Sequence, residues 1–283
     1  MTRKLNTLHD QHLHSRFSAD SQADPEAVCR AAVERGLRGI TFTEHYDSHP
    51  DEWGTCVWDY DRIAASVARL RQRFAGTLTI NLGIEICYQP ANMPAILDYL
   101  RNTAFDCVLL SIHWCAGKPV HVREAWQNLG PADMIRAYLE TVLEAVLACE
   151  PLLRTGERPF DVLGHLDLAK RYTQRYWGGG DLRAETELID RIWRAVLAVG
   201  IVPEVNTSSL RQGVGETMPA PWMIERYVEL GGRIMSIGSD AHRSEDVGAD
   251  FDTVAAMLKT AGIQSTAVFN GRELQQVPLV IPD

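Results

Sequence analysis

Near its start the chain reads Leu8-His9-Asp10-Gln11-His12-Leu13-His14-Ser15. If a β-strand runs over residues 7–14, His12 and His14 project from the same face, because side chains alternate along a strand. Two neighbouring imidazoles at a strand end can bind one metal ion through their neutral nitrogens. A half-buried histidine pair with satisfied hydrogen bonds is the competing interpretation. Six later segments end in a similar way, which favours the metal interpretation.

Strand and helix patterns alternate along the whole chain. Short β-rich runs occupy residues 7–14, 37–42, 78–84, 106–112, 160–163, 201–205 and 233–238, with a terminal run at 266–270. Helix patterns lie between them, at 25–36, 60–74, 94–102, 132–149, 181–199, 221–230 and 246–261. This order is typical of parallel strand-helix units, and no linker rich in Pro or Gly divides it. We therefore predict an α/β fold, a barrel-like domain of about seven strands that takes up residues 1–283.

Three longer segments, at 46–59, 114–130 and 172–180, are predicted to be loops. Each follows a strand. In a β/α barrel the loops that follow the strands build the mouth where ligands bind. The same rim receives the last residue of every strand, so any polar side chains there lie close together.

The predicted strand ends carry side chains of the metal-ligand type. In chain order these are His12, His14, His45, Glu85, His113, His165, Asn206, Asp240 and His242. Imidazole and carboxylate ligands suit zinc, manganese or iron, and they are too many for one tetrahedral ion. The sequence therefore predicts a cluster of two or three divalent metal ions with a carboxylate as the bridge.

Each of these residues, taken singly, has a simpler interpretation. His113 would be a core histidine, Glu85 a salt-bridge partner at the barrel mouth and Asp240 an N-cap of the last helix. Packing alone would place Val, Ile and Leu at such positions, so the set as a whole favours ligands. Three other histidines fall outside the pattern and are predicted to be surface or loop residues: His9, His49 and His121.

Charge and cysteine content narrow the classes of function. The chain has 28 basic and 37 acidic residues, a net charge of −9, which argues against a nucleic-acid backbone as the partner. None of the six cysteines has Cys-x-x-Cys spacing, so neither a thiolate zinc site nor a redox motif is expected. No run of about 18 apolar residues predicts a membrane span. We expect a cytoplasmic protein with a small-molecule partner, and the sequence does not decide between a monomer and a homo-oligomer.

A series of short motifs resembles the polymerase and histidinol phosphatase (PHP) superfamily. They are His12-Leu13-His14 followed by Asp20, Phe42-Thr43-Glu44-His45, Gly83-Ile84-Glu85, Ser111-Ile112-His113, Gly164-His165-Leu166-Asp167 and Gly238-Ser239-Asp240-Ala241-His242. Two longer segments look like the histidinol-phosphatase branch: Gly164-His165-Leu166-Asp167-Leu168-Ala169-Lys170-Arg171-Tyr172 and Glu204-Val205-Asn206-Thr207-Ser208-Ser209-Leu210-Arg211. The resemblance covers nearly the whole chain in order. It implies a distorted, TIM-like (β/α)7 barrel with a trinuclear metal site.

The resemblance also implies a role for each ligand. It assigns His12, His14, Glu85 and Asp240 to a first metal. It assigns Glu85, His113 and His165 to a second, with Glu85 as the bridge. It assigns Asp20, His45 and His242 to a third. Some members of the superfamily place a histidine where this chain has Asp20, so here the third site gains an anionic ligand.

Four further residues are expected to contact the substrate. Arg171 and Arg211 resemble the phosphate-binding arginines of the family, although Lys170 is an alternative to Arg171. Asn206 is counted with them as substrate-binding. The competing interpretation of both arginines is an ordinary surface ion pair, which is common and weak. Asp240, His242 and the two arginines are the predicted catalytic residues.

The implied activity is metal-dependent hydrolysis of a phosphate monoester, with L-histidinol phosphate in histidine biosynthesis as the expected substrate. Bound metals would lower the pKa of a water and supply a hydroxide that attacks phosphorus, while metals and arginines offset developing charge. Asp240 or a metal-bound water would protonate the leaving alkoxide.

Three alternatives stay open at this point. One is a phosphoesterase of the same superfamily that acts on a nucleotide or another small phosphomonoester. A second is an amidohydrolase, which also carries His-x-His on its first strand but usually adds a bridging lysine. The third is a metal-binding protein without enzymatic activity.

Overall fold

The structure, a computed structural model, describes residues 8–51 and 58–279. The first residue of the predicted strand 7–14, Thr7, and residues 52–57 of the predicted loop 46–59 lie outside this part. The strands are β1 (His9–Leu13), β2 (Gly39–Tyr46), β3 (Thr79–Cys87), β4 (Cys107–Ser111), β5 (Trp114–Cys115), β6 (Lys118–Pro119), β7 (Val162–Leu163), β8 (Val202–Asn206), β9 (Ile234–Gly238), β10 (Ser265–Asn270) and β11 (Glu273–Pro278). The α-helices are α1 (Pro25–Glu34), α2 (Tyr60–Arg73), α3 (Met93–Asn102), α4 (Pro131–Leu147), α5 (Glu150–Leu153), α6 (Ala169–Trp177), α7 (Thr186–Val199), α8 (Ser208–Arg211), α9 (Pro221–Glu229) and α10 (Phe251–Ala261).

One nine-stranded sheet holds the fold together, in the order β1-β2-β3-β4-β7-β8-β9-β10-β11. Seven of its strands, from β1 to β9 in that order, pair in parallel. Helices connect most of them, as the alternating patterns predict. The α/β class is therefore confirmed, and the number of strands in the parallel series agrees with the predicted seven.

The first strand also meets the last of the seven. The backbone N–H of Asp240, just after β9, donates to the carbonyl of His12 over 2.7 Å, and the N–H of His14 donates to the carbonyl of Ala241 over 2.8 Å. Two residues before His12, the buried carboxylate of Asp10 accepts a hydrogen bond from the N–H of Ser239 over 2.9 Å. The sheet thus curves until β1 and the end of β9 are joined, so the carboxyl ends of the seven strands surround one opening.

The β10–β11 hairpin covers the opposite, amino-terminal end of the strands. The N–H of Phe269 donates to Gln11 Oε1 over 2.9 Å, and its carbonyl accepts from Asn81 Nδ2 over 2.8 Å. At the tip, the N–H of Arg272 donates to the carbonyl of Asp106, just before β4, over 2.9 Å. Phe269 packs in an apolar cluster with Cys107, Leu109, Val162, Val202 and Ala267. The hairpin therefore packs apolar side chains against the starts of several strands.

The helices pack on the sheet through apolar faces. On α7 the buried side chains include Leu188, Ile192 and Val196, which recur at helical spacing. Trp193 of the same helix lies with its ring centroid 4.9 Å from that of Tyr227 on α9. None of the helices within residues 8–51 and 58–279 has the length and apolar content needed to span a bilayer.

The prediction of a loop over residues 172–180 is wrong. Most of this segment belongs to α6, which ends at Gly178 in the left-handed region, at φ 82°. The buried positions of α6 include Lys170, Thr173 and Tyr176. Because two of these are polar, the helical spacing is not visible in a pattern of apolar residues.

Three other parts of the structure differ from the predictions. The last helix begins at Phe251 instead of residue 246, since Asp250 adopts a left-handed conformation (φ 64°) in which an α-helix cannot continue. The prediction has no counterpart of β11, whose residues are mostly exposed and show no apolar alternation. The predicted loop 114–130 also contains the short antiparallel pair β5–β6.

Candidate active site

A cavity of about 260 Å³ opens at the carboxyl ends of the strands. Its polar lining includes Asp20, His45, Asp47, Glu85, His113, His121, His165, Arg171, Asp240 and His242. Phe17, Leu168 and Tyr172 add an apolar side to the same cavity. Most of the predicted metal ligands therefore reach one volume, although they come from six strands spread over more than two hundred residues.

Glu85, on β3, lies at the centre of the cluster and is fully buried. Its Oε1 lies 2.8 Å from His165 Nε2 and accepts a hydrogen bond from Ser111 Oγ over 2.6 Å. Its Oε2 lies 2.9 Å from His45 Nδ1 and 3.2 Å from His12 Nε2. One carboxylate thus faces histidines on both sides, the arrangement that a bridging ligand requires.

The histidines of β1 point to the same spot, as the period of two predicts. His12 Nε2 and His14 Nε2 are 3.1 Å apart. Two nitrogens that bind one tetrahedral zinc at ~2.0–2.1 Å would be separated by roughly 3.3 Å. The opposite nitrogens are held by partners behind them: His12 Nδ1 lies 2.8 Å from Glu204 Oε1, and His14 Nδ1 lies 3.1 Å from Ser18 Oγ. Such partners orient a histidine and leave its other nitrogen free for a metal.

The ligand atoms form overlapping groups, each within 4.8 Å: His12, His14 and Asp240; His12, Glu85 and His165; His45, Glu85 and His113; His14, His45 and His242. Asp20, which is exposed, adds an oxygen 3.0 Å from His242 Nε2 and 3.4 Å from His45 Nε2. The structure therefore brings together all nine predicted metal ligands. Their roles as ligands stay a prediction.

Two buried polar atoms test whether the site suits a cation. Glu85 Oε2 and His45 Nδ1 are both inaccessible to solvent and have no hydrogen-bond partner among the described residues. They lie 2.9 Å apart without the geometry of a hydrogen bond. Burial of unpaired polar atoms is costly, and a metal ion between such atoms would remove that cost. The donor set of nitrogens and oxygens thus fits a divalent metal.

The electrostatics of Glu85 and His14 favour the protonation states that bind metals. Burial alone would raise the pKa of Glu85, but His12 and His45 hold this pKa well below its ordinary value. Burial, together with the neighbouring His45 and His242, lowers the pKa of His14 to about 3. The carboxylate is therefore ionised and the His14 ring neutral at physiological pH, the forms that coordinate a metal. At His12, His45 and His113 burial alone would lower the pKa, but neighbouring carboxylates raise it well above the ordinary value, so a metal ion would have to displace protons there.

Of the four predicted substrate contacts, only Arg171 is part of the lining. Its Nη2 lies 3.2 Å from Asp240 Oδ2 and also donates to Ser208 Oγ, while its buried Nε has no hydrogen-bond partner among the described residues. Arg211 donates to the carbonyl of Ser239 over 2.8 Å. Lys170 and Asn206 are buried behind the site.

The contacts of Lys170 and Asn206 are within the protein. Lys170 Nζ lies 2.8 Å from Asp167 Oδ2 and 3.1 Å from Glu216 Oε1. Asn206 Nδ2 donates to Glu204 Oε2 over 3.1 Å, and its Oδ1 accepts from Ser208. Both side chains are therefore paired with other groups of the protein, and neither lines the cavity.

The sequence pattern of the PHP domain family matches residues 10–208, more than two thirds of the chain. The chain belongs to the PHP domain family. Curated relatives include a probable histidinol-phosphatase of Thermotoga maritima, 29% identical over 95% of this chain and 99% of its own, and one of Deinococcus radiodurans, 28% identical over 96% and 100%.

Solved structures share the PHP fold of this chain. A histidinol phosphate phosphatase of Lactococcus lactis, complexed with zinc, L-histidinol and phosphate, superposes with a TM-score of 0.83, at 23% identity over 95% of this chain and 99% of its own. A putative histidinol phosphatase of Listeria monocytogenes gives a TM-score of 0.73, at 20% identity over 87% and 99%. Because the identities are only 23% and 20%, the two structures establish the fold of this chain and nothing about its activity.

Several residues of this PHP site are missing from the sequence prediction. Glu204 is 1% exposed, and besides His12 Nδ1 it accepts a hydrogen bond from the N–H of His165 over 2.9 Å. Asp47 lies 2.8 Å from His113 Nδ1. The sequence spacing could have indicated both residues, because Glu204 is two residues before Asn206 and Asp47 is two residues after His45. The strand period of two puts such residues on the same face.

The three histidines outside the pattern have different surroundings. His9 lies on β1 and is half-buried, so its assignment to a loop or the surface is wrong. His49 is half-buried and stacks on Trp114, with ring centroids 3.4 Å apart. His121 is exposed, as predicted, but it lines the cavity.

Gly238, the last residue of β9, allows the close approach of Glu204 to His12. A Cβ at this position would lie 2.1 Å from Glu204 Oε1 and 2.5 Å from His12 Cβ. Any larger residue would push both side chains away from the metal cluster. Two residues further on, Asp240 adopts a left-handed conformation (φ 51°), which is strained for a non-glycine residue. This backbone conformation directs the side chain of Asp240 towards His12 and His14.

Substitution of Glu204 by Gln is expected to weaken zinc binding about 10- to 100-fold, because the charge behind His12 is lost while the shape is kept. Competition with a chelating dye measures the dissociation constant directly. Glu225→Gln, an exposed change on α9, is the control and should leave this constant unchanged. Equal zinc affinity in Glu204→Gln and the wild type would contradict the role of Glu204.

Proposed function

We propose that this protein is a histidinol-phosphatase, a metal-dependent enzyme that hydrolyses L-histidinol phosphate to L-histidinol and phosphate. The observation that carries the proposal is the convergence of histidines, carboxylates and Arg171 on one cavity. The names of the curated relatives, which align over nearly their whole lengths, support the choice of substrate. We propose further that residues 1–283 form one phosphoesterase domain with two to three bound ions of zinc, manganese or iron. The cytoplasmic location stays a prediction.

The residues of the site have separable tasks in this reaction. The metal ions, when bound, would supply positive charge for the phosphate oxygens and activate water. Arg171 lines the cavity and offers its guanidinium group to an oxygen of the phosphate. Phe17, Leu168 and Tyr172 give the organic part of the substrate an apolar wall. Asp240 and His242 remain the proposed catalytic residues beside the reacting phosphate, and Arg211, through the carbonyl of Ser239, holds the backbone next to Asp240.

The test is a comparison of substrates with the metal-loaded enzyme. We expect kcat/KM for L-histidinol phosphate to exceed that for nucleoside monophosphates and sugar phosphates by at least about 100-fold, because a site that pairs specific polar groups rejects substrates that lack them. Metal analysis of the same preparation gives the number of ions per chain. Equal turnover of all esters would support a general phosphoesterase, and cleavage of C–N bonds without phosphate release would support an amidohydrolase.

Substitution of Arg171 by Ala is expected to lower kcat/KM for the same ester about 10- to 100-fold, since a hydrogen bond between two charged groups contributes ~1.5–3 kcal/mol. Phosphate release at several substrate concentrations measures the change. Arg175→Ala removes an exposed arginine one turn along α6 and serves as the control. If both variants behave like the wild type, Arg171 does not bind the phosphate.

A further inference from the structure

Four carboxylates line the cavity: Asp20, Asp47, Glu85 and Asp240. The metal assignment uses three of them. Asp47, the first residue after β2, is left over: its carboxylate lies within 4.8 Å of ligand atoms of Cys87 and His113, but it is not one of the nine predicted ligands. A carboxylate beside a metal cluster that is not itself a ligand is free to bind a positively charged part of a substrate.

The two oxygens of Asp47 have different surroundings. Oδ1 lies 2.8 Å from His113 Nδ1, from which it accepts a hydrogen bond. Oδ2 has His45 Nδ1 at 3.7 Å, and no described residue donates a hydrogen bond to it. The side chain is 14% exposed, and this exposed part faces the cavity. One oxygen therefore holds His113 in place, and the other is available to a ligand.

Asp47 and Arg171 approach the cavity from different sides. Arg171 follows β7 and Asp47 follows β2, and these strands are three places apart in the ring of seven parallel strands. Arg171 pairs with Asp240, whereas Asp47 pairs with His113. The cavity thus has a cationic group on one side and an unused anionic oxygen on the other. This polarity matches a substrate that carries a phosphate at one end and an ammonium group a few bonds away.

We propose that Asp47 Oδ2 accepts a hydrogen bond from the ammonium group of L-histidinol phosphate and thereby selects amino-substituted phosphate esters. The inference rests on the proposed function. An ammonium group close to divalent metals would be repelled, and a carboxylate at hydrogen-bond distance offsets that repulsion. A charge-assisted hydrogen bond of this kind also excludes esters without the amine, because Oδ2 would then be buried without a partner.

The experiment compares two esters that differ only in the amine, L-histidinol phosphate and 3-(imidazol-4-yl)propyl phosphate. The variant is Asp47→Asn, which keeps an oxygen for His113 and removes the charge. We expect the ratio of kcat/KM for the amino ester to that for the des-amino ester to fall about 10- to 100-fold. The affinity of the metal-loaded protein for L-histidinol, measured by calorimetry, should fall by a similar factor. Asp51→Asn, an exposed change in the same segment, should keep the wild-type ratio.

Four other outcomes of this experiment would overturn the inference. An unchanged ratio in Asp47→Asn, with both esters slowed equally, overturns the inference and makes Asp47 a positioning residue for His113. A loss of bound metal from Asp47→Asn also overturns it, because the effect would then come from the metal site, through His113 or through Asp47 itself, and not from the ammonium group. A wild type that does not prefer the amino ester overturns it even if histidinol phosphate is hydrolysed. A wild type that hydrolyses neither ester removes the proposed function, and the inference with it.

Discussion

Replacement of Glu85 by Gln is expected to lower kcat/KM for L-histidinol phosphate by more than about 100-fold, the upper value for loss of a group that merely supports a metal ligand. Glu85→Gln should have a larger effect than the loss of such a supporting group, because Glu85 faces the histidines directly. Its two oxygens lie 2.8 Å from His165 Nε2 and 2.9 Å from His45 Nδ1. An amide nitrogen in place of one oxygen cannot bind a cation, so the bound metal per chain, measured by atomic emission, should fall as well.

The Glu85→Gln result needs evidence that the variant is folded. Circular dichroism of the metal-free protein provides it, and we expect a wild-type spectrum, because the amide has the same shape and removes a buried charge. Glu245→Gln is the control, since this side chain is 71% exposed and its ion pair is with Arg243, which is not a predicted ligand. Retention of both metal and activity by Glu85→Gln would refute the metal cluster and with it the proposed mechanism.

Replacement of Phe269 by Ala is expected to lower the free energy of unfolding by about 3–5 kcal/mol, the usual cost of deleting a buried phenylalanine side chain. Phe269 is 4% exposed and packs at the amino-terminal ends of the parallel strands, opposite the cavity. Its backbone ties the hairpin to Gln11 and Asn81 on two different strands. Equilibrium denaturation in urea measures the loss as a lower transition midpoint.

Leu274→Ala is the matched control for Phe269. Leu274 is the residue paired with Phe269 in the hairpin, but 43% of it is exposed. Its truncation should change the free energy of unfolding by less than ~0.5 kcal/mol, as is usual for surface positions. A similar loss in both variants would mean that burial of Phe269 is not what attaches the hairpin to the parallel strands.

Much of the fold could be predicted because its elements carry local signals. Asp24 and Pro25 mark the start of α1, where Asp24 caps the N–H of Ala27, and Gly200 ends α7 in the left-handed conformation. Helix α6 could not be predicted from apolar spacing, because Lys170 and Thr173 occupy its buried face. Lys170 can be buried there only because Asp167 and Glu216 neutralise it, and this compensation exists only in the folded protein.

The candidate site divides in the same way. The positions of the metal ligands could be predicted, because each ends a recognisable strand and parallel strands end on one rim. The partners behind the ligands could not. Glu204 meets His12 across 192 residues of sequence, and only the contact of β1 with β9 and the small size of Gly238 make room for it.

The amino-acid sequence by itself determined which side chains share a face of a strand, since the period of two places His12 beside His14 without reference to any other part of the chain. Tertiary structure alone decided which strands are neighbours, and therefore that Asp47 supports His113 and keeps one oxygen for the cavity. The reason is physical: side-chain direction is a property of the local backbone, whereas a distance between residues far apart in sequence depends on the packing of the whole sheet.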